Sequence, residues 1–336
     1  MIGVTVLTGF LGSGKTTLLR HLLRQPEFSR TAVIINEFGE IGLDHELVEA
    51  STDSFIELAN GCLCCRLRSD LAETIAAMVD RRDRGTVPPF SRIVIETSGL
   101  ADPAPILQTL MVDPYLAGRL KLSGVVTTVD AVNGASTLER EQISVKQAAL
   151  ADRLVVTKSD LAGPSASVVL HRLAGLNARA PVALAHHGRI DPRIIDAGRF
   201  EPQASSVHIL SWLGSDVAGD GHLHTQHDPA IQAYAIRRNQ PIRAVALTLF
   251  LETLAEHCGT DLLRLKGIVN VLECPDRPAV IHGVQHVFHP PEWLERWPSD
   301  DHRTRIVLIT RHIRQRWVEV LLEALDAEVS AVSVRR

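Results

Sequence analysis

The sequence predicts a doubly wound α/β domain with a largely parallel sheet, followed by a smaller α+β domain. In the first half, short β-branched apolar runs alternate with longer helical patterns, which is typical of βαβ units. This periodicity stops near residue 196, where Gly, Ser, Asp and His accumulate, and the chain of 336 residues is long enough for about two domains. We predict an α/β domain over residues 1–195, a linker over 196–229 and an α+β domain over 230–330.

The elements of both domains follow from these patterns. Predicted strands of the first domain are Ile2–Thr8, Ala32–Asn36, Arg92–Glu96, Gly124–Asp130 and Arg153–Thr157. Predicted crossover helices are Thr16–Leu23, Leu67–Asp80 and Thr137–Leu150. In the second domain we predict strands at Ile231–Ile236, Gly267–Cys274, Ala279–Phe288 and Thr304–Thr310, and helices at Leu247–His257 and Gln315–Leu325. Four tryptophans in or just before it are predicted to contribute to its core: Trp212, Trp293, Trp297 and Trp317.

Composition excludes several classes of protein. Hydrophobic residues make up 45% of the chain and charged residues 22%, which is ordinary for a globular protein and not for a disordered or fibrous one. The net charge of -4 indicates no surface for a polyanion, so nucleic acid is not an expected partner. No apolar run approaches the length of about 20 residues that spans a membrane, and the apolar start has no basic leader before it. We expect a cytoplasmic protein.

A phosphate-binding loop is the strongest motif. Gly9-Phe-Leu-Gly-Ser-Gly-Lys-Thr16 matches G-x-x-x-x-G-K-[ST], follows a predicted strand and opens a predicted helix. The glycines let backbone N–H groups turn toward phosphate oxygens, Lys15 reaches the β- and γ-phosphates, and Thr16 holds Mg²⁺. The residues predicted to bind the nucleotide phosphates are Gly9, Leu11, Gly12, Ser13, Gly14, Lys15, Thr16 and Thr17.

A second motif indicates guanine as the base. Thr157-Lys-Ser-Asp160 ends a predicted strand and resembles the N/T-K-x-D element of P-loop GTPases. There the stem of Lys158 would cover the guanine face, and Asp160 would accept from the guanine N1–H and N2–H groups. Thr157 replaces the commoner Asn, which we expect to weaken support of the phosphate-binding loop. A helix N-cap aspartate after a surface lysine is the plain alternative.

The segment Glu96-Thr-Ser-Gly99, which begins at the last residue of a predicted strand, supplies the rest of a predicted hydrolytic site. Glu96 is predicted to bind Mg²⁺ through water, and the Gly99 N–H to sense the γ-phosphate. Leu100 follows Gly99, so the water-orienting glutamine of Ras-type switches is missing from that place. We therefore expect slow intrinsic GTP hydrolysis, and a turnover above about 1 per second would contradict it.

Three of the five cysteines lie within four positions, at Cys62, Cys64 and Cys65. Thiolates at this density favour zinc, copper(I) or cobalt(II) over magnesium or calcium. Thiol redox chemistry is the main alternative, and Arg66 and Arg68 would favour the thiolate in either case.

Together these motifs resemble the CobW-type family of metal-trafficking P-loop GTPases, which includes zinc-regulated GTPase metalloprotein activators. The resemblance covers nearly the whole chain. It is carried by the phosphate-binding loop, Asn36-Glu-Phe-Gly39, Gly61-Cys-Leu-Cys-Cys65, Glu96-Thr-Ser-Gly-Leu-Ala-Asp-Pro103 and Thr157-Lys-Ser-Asp160, and more loosely by Arg264-Leu-Lys-Gly267. Five elements in one order are hard to attribute to chance.

The resemblance implies a metallochaperone or metal insertase that binds GTP or GDP with Mg²⁺ and a transition metal through the three thiols. We expect Zn²⁺ first and Co²⁺ second, with delivery to a client metalloprotein or metal-cofactor assembly enzyme under control of the GTP/GDP switch. Nucleotide-dependent self-association also stays open. The alternatives are a regulatory GTPase whose cysteines sense redox state or hold structural zinc, and a small-molecule kinase that would bind adenine.

Accessory metal ligands are weaker predictions. Glu37 follows the second strand, where a switch loop would meet the γ-phosphate, but a solvated loop acid is an equal alternative. His222, His224 and His227 form a short H-x-H-x-x-H cluster in the linker, for which solvated side chains are the competing interpretation. We assign no function to His186-His187 or to His282, His286 and His289.

Overall fold

The computed structural model describes residues 1–36, 55–57, 66–196 and 231–334. The chain divides into two compact units, Met1–Ala174 with Ala180–Arg199, and Gly175–Arg179 with Phe200–Arg336. The predicted linker at 196–229 lies almost entirely outside the described residues, so the predicted domain boundaries stay predictions. Along the described part of the chain, no helix combines the length and apolar character needed to cross a membrane.

The first unit is built on a seven-stranded sheet in the order β3-β2-β4-β1-β5-β6-β7, and each neighbouring pair is parallel. Its strands are β1 (Ile2–Gly9), β2 (Thr31–Asn36), β3 (Phe55–Glu57), β4 (Arg92–Thr97), β5 (Leu120–Asp130), β6 (Arg153–Thr157) and β7 (Val182–Leu184). The chain leaves central β1 toward one edge, returns at β4 and then builds the other side. This reversal creates the crevice at the carboxyl ends of the strands where ligands bind in such folds.

Helices connect these strands and cover the sheet. They are α1 (Lys15–Leu23), α2 (Arg66–Asp83), α3 (Ala104–Val112), α4 (Pro114–Ala117), α5 (Gly134–Arg140), α6 (Gln142–Leu150), α7 (Ser165–Leu176) and α8 (Arg193–Asp196). The central strands β1 and β4 are mostly apolar and are buried along nearly their whole length, as expected for a sheet covered on both faces. Helix α1, for example, buries Leu18 and Leu22 against Leu7 and Val126 of the central strands.

The second unit is an antiparallel sheet with two long helices. Its main strand order is β11-β10-β9-β13-β8, and β12 pairs with β10. The strands are β8 (Ile231–Arg238), β9 (Leu262–Val269), β10 (Ala279–Val284), β11 (Val287–Phe288), β12 (Glu292–Trp293) and β13 (Thr304–Arg311), and the helices are α9 (Ala244–Cys258) and α10 (Gln315–Val334). One cluster joins both helices to the sheet, with Phe250 and Leu254 against Leu265 and Leu308. The predicted fold class, α/β followed by α+β, is confirmed.

Several predicted elements are wrong in detail. The predicted helix 137–150 is two helices, because Glu141 takes an extended conformation between α5 and α6. The predicted strand 267–274 lies at Leu262–Val269, because the chain leaves the sheet at Asn270, whose N–H donates to Thr304 Oγ1. The predicted strand 279–288 is a hairpin, because Gln285 turns it with φ of 56°.

The tryptophans contribute less to the core than predicted. Trp297 is buried and its indole N–H donates to Pro275 O at 2.7 Å. Trp293 and Trp317 are 39% and 45% exposed, and Trp212 lies outside the described residues. The core of this unit is formed mainly by aliphatic residues, together with Phe250 and Tyr234.

Candidate functional site

The phosphate-binding loop connects the end of β1 to the start of α1 at the carboxyl edge of the sheet. Gly12 and Gly14 have φ values of 70° and 86°, in the left-handed region that favours glycine. Gly14 is the residue before the first turn of α1, so the loop runs directly into the helix N-terminus. Backbone N–H groups and the helix dipole therefore face the same crevice, which suits an anion.

Lys15 lies inside this loop. Its side chain is buried, and its Nζ donates to Gly9 O at 2.9 Å and to Phe10 O at 3.3 Å. The ammonium is thus held under the loop that Gly9–Gly14 forms. Phosphate oxygens in the loop would meet a positive charge already in place.

Two neighbouring strands support the loop from beneath. Ser13 Oγ lies 2.7 Å from Thr128 Oγ1 on β5, and Thr157 Oγ1 at the end of β6 donates to Ser13 O at 2.7 Å. Thr157 therefore supports the loop directly through its hydroxyl, and the expectation that it does so less well than Asn stays a prediction.

Thr16 and Glu96 come together as an oxygen pair. Thr16 Oγ1 donates to Glu96 Oε1 at 2.6 Å, and Glu96 is only 1% exposed. β1 and β4 are adjacent, with Leu7 in register with Glu96, which places the carboxylate beside the loop. A hydroxyl and a carboxylate next to a phosphate site are the hard oxygen donors that magnesium takes, so these two residues fit the predicted Mg²⁺ site.

Gly99 approaches the phosphate-binding loop closely. A Cβ at this position would lie 2.6 Å from Leu11 N and 2.7 Å from Leu11 Cα, which only glycine permits. The loop that follows β4 and the phosphate-binding loop are therefore in direct contact. Leu100, next in the chain, is exposed and has no polar group to orient a water.

Gly99→Ala is expected to lower GTP turnover at least tenfold and to reduce the free energy of unfolding by about 1–3 kcal/mol, because backbone atoms must move to admit the methyl group. Steady-state phosphate release and urea unfolding measure both effects. Gly118→Ala is the control, since its added Cβ would lie 3.7 Å from Pro114 O, an ordinary contact. Wild-type turnover in Gly99→Ala would show that the close approach has no importance for hydrolysis.

Lys158, the lysine predicted to cover the base, has a partner that the sequence did not predict. Lys158 has φ of 54°, and its Nζ donates to Asp130 Oδ2 at 2.8 Å. Asp130, at the end of β5, also accepts from the backbone N–H groups of Val132 and Asn133. Burial alone would raise the pKa of Asp130, but the hydrogen bond from Lys158 and those backbone donors hold it below the usual value. Asp130 is thus an ionised anchor for the Lys158 side chain.

Asp160 is held by the loop after β7. The backbone N–H of His187 donates to Asp160 Oδ1 at 3.2 Å, and His187 Nδ1 lies 3.1 Å from Oδ2. The backbone donor is the main cause of a lowered pKa of Asp160, so the carboxylate is ionised at neutral pH. Ser159 Oγ donates to Ala185 O in the same loop. His187, to which we assigned no function, therefore lies at the predicted base site.

The structure brings most predicted nucleotide-binding residues to one edge of the sheet. Thr17 is exposed and lies close to Gly188 of the loop after β7. Glu37, the three cysteines Cys62, Cys64 and Cys65, and the histidines His222, His224 and His227 lie outside the described residues. Over the described ranges, no three His, Cys, Asp or Glu side chains gather as a metal site.

Sequence reasoning missed Thr128, Asp130 and His187. Each lies in the last three residues of a strand or in the loop after one, at the same edge as the phosphate-binding loop, and parallel strands bring such positions together. That signal was available for Asp130, which ends a predicted strand, but its pairing with Lys158 depends on the order of β5 and β6 in the sheet.

A phosphate-binding loop, a buried acid on the neighbouring strand and a T-K-x-D element at one edge of a parallel sheet define a P-loop GTPase. The chain belongs to the CobW/HypB/UreG family: the model of that family's nucleotide-binding domain matches residues 3–183. The model of the cobalamin synthesis protein cobW C-terminal domain matches residues 231–326.

Relatives resemble the chain over nearly its whole length. It is 34% identical to the zinc chaperone YjiA of Escherichia coli, over 92% of this chain and 93% of that protein. It is 30% identical to the zinc chaperone CobW of Pseudomonas aeruginosa, over 93% of this chain and 88% of that protein. The crystal structure of Zn(II)-bound YjiA GTPase from E. coli superposes with a TM-score of 0.70, at 28% identity, over 96% of this chain and 98% of that one.

Proposed function

We propose that this GTPase is a metallochaperone that binds zinc, with cobalt(II) as the second choice, through the thiols of Cys62, Cys64 and Cys65. It would deliver the metal to a client metalloprotein or metal-cofactor assembly enzyme when GTP is hydrolysed. The names of the relatives support a zinc-handling function. The cysteines themselves lie outside the described residues, so the structural support comes from the elements on either side of them.

The observation that carries the proposal is the order of strands around the nucleotide site. The chain leaves β3 at Glu57 and enters α2 at Arg66, so the cysteine segment joins the carboxyl end of β3 to a helix N-terminus. In the order β3-β2-β4-β1, β3 lies three strands away from β1. The distance between these two strands is about 14 Å, because neighbouring strands are spaced about 4.8 Å apart. The segment therefore starts at the same sheet edge as the phosphate-binding loop.

The two strands between them end directly before the segments that would act as switch regions and connect nucleotide and metal. β2 ends at Asn36, directly before Glu37, and β4 ends at Thr97, directly before the Ser98-Gly99 turn. A γ-phosphate contact at Gly99 or near Glu37 would thus act between the two sites. Glu37 is an accessory ligand in this proposal, and the start of α2 would favour the thiolate form of Cys65.

The hydrolytic part of the proposal assigns roles to the residues of the phosphate site. Lys15 and the loop N–H groups would stabilise charge that develops on the β- and γ-phosphates. Thr16 and Glu96 would hold Mg²⁺, which would neutralise negative charge that develops on the phosphates. Slow intrinsic turnover stays a prediction. Leu11 approaches Gly99, the residue before Leu100, and both leucines are exposed, which would suit nucleotide-dependent self-association.

Metal affinity that depends on nucleotide tests the proposal. Zinc and cobalt(II) are titrated against a competing chelator, with GTP and Mg²⁺, with GDP and Mg²⁺, and without nucleotide. We expect the zinc affinity to differ about tenfold or more between the GTP and GDP states, which corresponds to about 1.4 kcal/mol of coupling. Cys64→Ala should abolish the tight site, because three thiols become two.

The matched control is Cys274→Ala, since Cys274 is an exposed free thiol of the second unit. It should bind metal as the wild type does. Zinc affinity that is the same in all nucleotide states would contradict metal transfer and favour a regulatory GTPase with structural zinc. A reversible disulfide in place of metal binding would favour the redox sensor.

A further inference from the structure

Helix α6 reaches the loop that follows β4 through two neighbouring side chains. Gln147 is fully buried, and its Nε2 donates to Gly99 O at 3.2 Å and to Ala101 O at 3.0 Å. Lys146 donates to Asp102, whose other carboxylate oxygen accepts from Ala104 N at the start of α3. The whole segment from Gly99 to Asp102 is therefore tied to one helix.

We propose that Gln147 is a positioning residue for GTP hydrolysis, with Lys146 as its weaker partner. The two hydrogen bonds from Gln147 fix the position of the Gly99 loop, from which the Gly99 N–H would contact the γ-phosphate. This inference rests on the assignment of Gly99 to the γ-phosphate and is independent of metal transfer.

The orientation of the Gln147 amide follows from its neighbours. Two carbonyl oxygens face the same amide atom, and only the nitrogen can donate to both. The opposite atom, Oε1, is then buried with no hydrogen-bond partner among the described residues. A buried glutamine would normally satisfy both ends. Here the side chain leaves its acceptor unused and keeps two donors on the loop.

The helix that carries Gln147 is itself anchored to the sheet. Thr127 Oγ1 of β5 donates to Gln147 O at 2.8 Å, so the backbone of this residue is held at the central part of the sheet. On the other side, Gly99 touches the backbone of Leu11. The Gly99 loop is therefore held between the phosphate-binding loop and an anchored helix, and a shift at Gln147 would change its distance from the γ-phosphate.

Three variants test this inference by kinetics and by nucleotide affinity. Gln147→Met keeps the length of the side chain and removes both donors. Gln147→Glu keeps the shape and places an acceptor against two carbonyls. Lys146→Met removes only the ion pair. We expect kcat for GTP to fall about tenfold in Gln147→Met, further in Gln147→Glu and about threefold in Lys146→Met. Affinity for a non-hydrolysable GTP analogue should fall, and that for GDP should stay within about twofold, because GDP lacks the γ-phosphate.

A merely structural role would change both nucleotide affinities together along with the melting temperature. Gln142→Met, at the exposed start of the same helix, is the control and should behave as wild type. An unchanged kcat and an unchanged ratio of GTP-analogue to GDP affinity in folded Gln147→Met would overturn the inference. If Gln147→Met does not fold, Lys146→Met decides, and wild-type kinetics there would overturn it equally.

Discussion

Lys15→Ala is expected to weaken GTP binding about 100-fold and to lower kcat about 100- to 1,000-fold. The ammonium is already placed beneath the phosphate-binding loop, bonded to Gly9 O and Phe10 O, so it costs no rearrangement when the phosphates arrive. A charge-assisted hydrogen bond contributes about 1.5–3 kcal/mol, and 2.7 kcal/mol is about 100-fold in affinity. GDP should lose less than GTP, because part of the contact is to the γ-phosphate. Titration with fluorescent GTP and GDP measures this difference.

Lys15→Arg separates charge from shape at the same position. Its planar guanidinium keeps the positive charge but does not fit the space that the compact ammonium occupies, so we expect little recovery. Lys121→Ala is the matched control, since Lys121 is the second residue of β5, at the opposite, amino end of the sheet. GTP binding that survives in Lys15→Ala would mean that the nucleotide does not lie in this loop.

The sequence predicted the nucleotide site best where function requires residues that are close together in the chain. The phosphate-binding loop and its helix are such a case, since Gly12 and Gly14 need left-handed backbone and Lys15 follows directly. The fold class was equally accessible, because buried parallel strands are continuous apolar runs such as Ile2–Gly9.

The supporting residues could not be predicted because they depend on which strands become neighbours. Thr157 reaches Ser13 across 144 positions of sequence, and Gln147 reaches Gly99 across 48. No local periodicity encodes such pairings. Gln147 in particular is a polar residue within a helix, where sequence alone favours an exposed side chain over a buried one. The anchor at Asp130 could be suspected from its strand end but not assigned to Lys158.

The second large effect on nucleotide binding is expected at Asp160 of the Thr157-Lys-Ser-Asp160 motif. Asp160→Asn is expected to weaken GTP binding about 100-fold and to make xanthosine triphosphate the preferred nucleotide. A carboxylate accepts from both the N1–H and the N2–H groups of guanine, whereas an asparagine accepts only once and its amide donors face the guanine amino group. Xanthine carries a carbonyl in place of that amino group, so the asparagine amide can donate to it. A site built around polar groups rejects the wrong partner strongly because unpaired buried groups remain.

The surroundings of Asp160 make this exchange feasible without loss of the fold. An asparagine oxygen can still accept from the His187 N–H, and its amide can donate to a neutral His187 Nδ1. Lys158 stays bonded to Asp130, so the side chain that is predicted to cover the base keeps its position. Competition between GTP, xanthosine triphosphate and ATP measures the change, with Asp83→Asn at a surface ion pair as control. An unaltered preference for GTP would place base recognition away from Asp160, and equal binding of ATP by the wild type would exclude guanine selection by this loop.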